Sequence, residues 1–66
     1  MNANKNGIED WAQNLMGQLL ADIHTQADKE RILEIAQDTA LGVRPDLMKV
    51  LNKLIEMKEK AGLIGE

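Results

Sequence analysis

Sixty-six residues with no cysteine, one proline and a single aromatic side chain, Trp11, set narrow limits on this chain. That length allows one domain, near the lower limit for folding without disulfides or a metal, and the absence of cysteine excludes a disulfide framework, thiol chemistry and a Cys-type zinc site. A formal charge of −3 weighs against nucleic acid as the main ligand.

With 44% hydrophobic and 29% charged residues, the chain has the make-up of a folded domain rather than a disordered tail. Its core must be built from Leu, Ile, Val and Met, the mix of a small helical bundle, and Trp11 is expected to anchor it. No apolar run approaches the roughly 20 residues that span a bilayer. The polar stretch Met1–Asn6 lacks the apolar centre of a signal peptide, so a cytoplasmic location and no membrane partner are expected. The charge is unevenly spread: residues 1–41 carry three bases against seven acids, and residues 42–66 carry five bases against four acids.

Residues 1–5 are expected to be disordered. Asn6 stands three residues before Glu9, the spacing of a capping box for a helix that begins near Gly7. Ile8, Trp11, Ala12, Leu15, Met16, Leu19, Leu20 and Ile23 recur at the i, i+3, i+4 spacing of one helical face, which predicts a first helix over 7–23. Gly17 is its weak point, costing up to about 1 kcal/mol relative to alanine, and it permits close helix contact.

His24, Thr25 and Gln26 interrupt that stripe. Thr25 with Asp28 has the pattern of an N-cap and an acid three residues on, so a second helix is predicted over 26–41, with a thinner apolar face. Gly42 reads as its stop, in the left-handed conformation that ends helices. Pro45 then suits the first position of a third helix over 45–61. Gly62 closes that helix, Leu63 is expected to fold back on Met57, and 64–66 are expected to be disordered.

The inventory for catalysis is poor. Thr25 and Thr39 are the only hydroxyls, and His24 is the only imidazole. Glu30, Glu34 and Asp38 fall at helical spacing without an accompanying histidine, which fits a solvated face rather than a metal pair. No glycine-rich phosphate loop or calcium loop is present. The expectation is therefore a protein that is not an enzyme and takes no cofactor and no metal.

The third helix carries more large apolar side chains than one core-facing stripe needs. At 100° per residue Leu47, Val50, Leu51 and Leu54 make one seam, flanked by Met48 and Ile55 on one side, with Met57 toward the other. The seam is assigned to the core, and Met48, Ile55 and Met57 are the candidate partner-binding residues, because an uncovered apolar patch favours association. The turn at Ala40–Pro45 and the apolar spacing around it, over about half the chain, also resemble the small chaperones that hold type III secretion needle subunits soluble. Both shared features are generic, and the helix bearing Trp11 has no counterpart there; that resemblance implies a helical hairpin that binds a protein.

The sequence thus predicts an all-α, small three-helix bundle that self-associates. Its function is read as a non-enzymatic protein–protein interaction module of adaptor, chaperone or inhibitor type, with a protein partner or itself, as a homodimer. The alternative is a helix-turn-helix DNA-binding regulator using residues 35–54, with Arg44, Lys49 and Lys53 toward the nucleic acid.

Overall fold

The computed structural model describes residues 8–66. It is an all-α three-helix bundle: α1 (Asp10–Ala21), α2 (Gln26–Gln37), one 3₁₀ turn (Ala40–Val43) and α3 (Pro45–Lys60). Direction follows from contacts between helix ends. Lys58, late in α3, donates to the Leu20 carbonyl late in α1, while Arg44, just before α3, reaches Glu9, just before α1. These two helices therefore run the same way. Gln26 and Lys29, at the start of α2, both reach Glu59 near the end of α3, so α2 runs against it.

α1 begins three residues later than the periodicity suggests. Glu9 is its N-cap, in extended backbone and without a side-chain cap bond, so Glu9 cannot close a box from the third helical position. Asn6 and Gly7 lie outside the described residues, as do residues 1–5. The Gln13 amide donates to the Ile8 carbonyl at 3.0 Å and fixes the approach to the helix. At the other end, the Lys58 ammonium answers the exposed carbonyls and negative dipole of α1, which has no basic residue in its own last turn.

The start of α2 forms as the sequence predicts. Thr25 Oγ1 accepts from the Asp28 N–H at 3.1 Å, and Asp28 Oδ2 accepts from the Thr25 N–H at 3.3 Å and the His24 N–H at 3.1 Å. These bonds, His24 foremost, with the Arg31 guanidinium in support, hold the Asp28 carboxyl below the usual aspartate value.

The end of α2 differs from expectation. The helix stops at Gln37, four residues short of Leu41, and the chain turns through Thr39 into the 3₁₀ segment. Thr39 Oγ1 donates to the Ala36 carbonyl at 2.6 Å and accepts from the Leu41 N–H at 3.2 Å, so one hydroxyl closes one element and opens the next. Gly42 is not in the left-handed region; among the described residues the only positive-φ glycine is Gly62, at 78°. Gly42 is required for a different reason. A Cβ there would lie 1.9 Å from the Gln37 carbonyl oxygen.

α3 begins with Pro45, which needs no intrahelical N–H partner at that position. Its C-terminus is a Schellman arrangement. The Gly62 N–H donates to the Glu59 carbonyl at 2.9 Å, and the Leu63 N–H donates to the Lys58 carbonyl at 3.1 Å. Leu63 and Met57 both stay largely exposed. In the stretch 64–66, expected to be disordered, two residues make contacts: Ile64 packs on the core, the Gly65 N–H donates to the His24 carbonyl at 2.7 Å, and the Gln26 N–H donates to the Gly65 carbonyl at 3.0 Å. The tail closes that end of the bundle over the α1–α2 corner.

The core comprises Ala12, Met16, Leu19 and Ile23 from the first helix and its exit, Ile32 and Ala36 from α2, Leu41 from the 3₁₀ turn, and Leu47, Leu51 and Ile55 from α3. Trp11 is not part of it. At 41% exposure it stands one residue off the buried line, displaced because α1 approaches its neighbours at the small, fully buried Ala12.

Candidate interaction groove

The buried line on α3 is Leu47–Leu51–Ile55, an i, i+4, i+8 stripe. It is rotated from the seam the sequence suggests. The 3₁₀ turn packs against both α2 and α3 and brings Leu41 into the centre, which draws the buried face of α3 toward Ile55. Val50 and Leu54, assigned from sequence to the seam, are left half-buried on the side facing α1.

The three candidate partner-binding residues consequently part company. Ile55 is 3% exposed and belongs to the core, so it presents no surface of its own to a partner. Met48 is half-buried and borders a shallow hollow of mixed polarity with Gln37, Gly42, Pro45, Lys49 and Asn52, where α2 gives way to α3. Met57 is 59% exposed, and at 100° per residue it falls about 60° from Leu54 and 20° from Val50, on the α1 side. No single patch contains all three.

The concave apolar feature lies elsewhere. Between the parallel helices α1 and α3 runs an open groove of about 320 Å³, walled by Ile8, Met16 and Leu20 on one side and Val50 and Leu54 on the other. Its edge on α1 is Gly17, where a Cβ would meet nothing within 4 Å. Gln13 is the one polar side chain in its lining. Sequence periodicity marked Gly17 as a point of close helix contact. Among the described residues nothing approaches it.

Charges divide across the groove. From Ile8 to Asp28 the chain has Glu9, Asp10, Asp22 and Asp28 and no Lys or Arg. α3 carries Lys49, Lys53 and Lys60 within about 40° of one another around its axis, beside Val50 and Met57, with the single acid Glu56 on their other side. Among the described residues these three lysines form no ion pair. Other charges are committed to holding the bundle. Lys29 pairs with Glu59 at 3.0 Å, and Gln26 with Lys29 lowers the Glu59 carboxyl. Arg44 forks onto Asp46 at 3.2 and 3.0 Å and reaches Glu9 at 3.4 Å, which raises the guanidinium and lowers Asp46. The other oxygen of Glu9, Oε1, is buried there without a partner among the described residues.

Both hydroxyls of the chain serve as caps, Thr25 for α2 and Thr39 for the 3₁₀ turn. Among the described residues no three His, Asp or Glu side chains gather as a metal site, and no helix is long and apolar enough to cross a membrane. In the segment 35–54, α2 and α3 are separated by seven residues and lie antiparallel, as the Lys29–Glu59 contact requires. A helix-turn-helix has instead a turn of three or four residues between helices set at a wide angle.

Compared with known protein families, curated proteins and solved structures, the chain finds no match.

Proposed function

We propose that this chain is a non-enzymatic interaction module, of adaptor, chaperone or inhibitor type, that binds an amphipathic helix in the groove between α1 and α3. The observation that carries this reading is the pairing of half-buried Val50 and Leu54 with an open Gly17. Glycine inside a helix costs about 1 kcal/mol against alanine, and nothing among the described residues requires it at this position. A helix laid across the groove does, because a missing side chain lets two backbones approach closely. Two short helices that lie parallel leave room for a third between them, and such a helix would cover the aliphatic walls.

Substitution at Gly17 separates this function from folding. In Gly17→Glu the new side chain projects into the groove from a position that is sterically open, and glutamate is a better helix former than glycine. We expect unchanged or increased helical signal and thermal stability in both Gly17→Glu and Gly17→Ala, together with loss of the partners that the wild-type protein captures from the native host in the first and weaker capture in the second. Identical captured partners for all three proteins would end the proposal.

A further inference from the structure

We infer that the helix filling this groove is α1 of a second copy of the same chain, so that each copy lays its α1 between the α1 and α3 of the other. This rests on the proposed groove and names its occupant. A twofold pair must satisfy each contact twice with the same surfaces, so the groove and the helix that enters it must both belong to one chain. Asp10, Gly17 and Ala21 fall within about 40° of one another on α1, which gives that helix an edge of small side chains with an acid at its start. Along this edge the two α1 helices can approach each other at Gly17, where no side chain intervenes.

Charge selects the neighbour on the other wall. From Ile8 to Asp28 the chain has acids and no Lys or Arg, whereas Lys49, Lys53 and Lys60 line the outer margin of α3, outnumber the Glu56 beside them, and are unpaired among the described residues. An arrangement that set α3 against α3 would bring two lysine margins together. Setting α1 into the groove places Asp10 beside lysines in both halves of the pair and lays the Gly17–Ala21 edge, with half-buried Leu20 next to it, over Val50, Leu54 and Met57. The occupant is therefore an acidic helix with a small-residue edge, and α1 has that chemistry.

Sedimentation of the full-length chain at micromolar concentration tests this. The expected result is a species of two 7.4 kDa chains that weakens as salt is raised, because exposed ion pairs are screened. Lys53→Glu with Lys60→Glu in one chain, or Asp10→Lys in another, should each weaken self-association by about tenfold, while an equimolar mixture of the two variants should associate as the wild type does. Circular dichroism of each variant verifies that it is folded. A wild-type chain that remains monomeric, or a dimer indifferent to the charge reversals, overturns the inference. If that monomer still captures another protein in a Gly17-dependent way, the groove stands and only its occupant was misassigned. A dimer that survives Gly17→Glu forms through a different face and overturns the inference as well.

Discussion

Gly42 and Gly17 are the same residue used under opposite constraints. At Gly42 the space is already occupied, since a methyl group would overlap the Gln37 carbonyl, and the chain turns this corner only without a side chain. At Gly17 the space is empty, and a methyl group would touch nothing. The first glycine is a requirement of the fold. The second weakens its own helix, and no contact among the described residues repays it. A position that costs stability without serving the described fold is where an intermolecular contact is to be sought, and it lies on the apolar groove between α1 and α3. Their difference also separates the two sides of α3: the side meeting the 3₁₀ corner is sealed by Leu41, and the side meeting α1 is incomplete.

Stability measurements can break this contrast. The largest effect is expected from Gly42→Ala, which forces backbone atoms apart at the corner and should cost about 3 kcal/mol or more, a large share of the stability of so small a domain. Urea titration would show this as a fall in midpoint with little change in slope. Next comes the pair Ile55→Ala and Met57→Ala, two residues apart on α3. The first should lose about 2–3 kcal/mol through a core cavity, and the second should stay within about 0.5 kcal/mol. Equal losses would show that the buried stripe has been misplaced. Gly17→Ala, measured at a concentration low enough to keep the chain monomeric, should raise stability by about 1 kcal/mol, the reverse of Gly42→Ala; a loss instead would mean that Gly17 is required within the monomer.

The smallest effect is a pH dependence. Asp28, held mainly by the His24 N–H, Asp46, held by Arg44, and Glu59, held by Gln26 and Lys29, all titrate below their ordinary values in the folded chain. Each favours the folded state when ionised, so its contribution is complete above the unfolded carboxylate range of about 4 and is lost as pH falls through the lower folded values. Thermal midpoints should therefore be level from neutral pH down to about 5 and decline below about 4. Asp28→Asn should flatten part of that decline, and a profile unchanged by the substitution would detach the capping box from the acid sensitivity.

Local signals in the sequence were legible because they act over one turn. Thr25 and Asp28 cap each other across three residues, Pro45 opens α3, Gly62 supplies the left-handed stop, and apolar spacing marks three helices. Each of these follows from backbone hydrogen bonding and needs no knowledge of the neighbouring helix. The half-exposed Trp11 was not legible, since hydrophobicity alone made it a core anchor, and only the close approach at Ala12 moves it outward.

The same division holds for the site. Composition and periodicity by themselves determined that the chain is an all-α three-helix bundle with surplus apolar surface on its last helix, because hydrophobic spacing and capping are properties of single helices. Which flank of α3 is buried was decided by tertiary structure alone. A stripe shifted by one or two side chains looks equally good on an isolated helix, and the choice depends on what its neighbours bring. Leu41, carried inward on a 3₁₀ turn, claims the Ile55 side, while Gly17, bringing nothing, leaves Val50 and Leu54 uncovered.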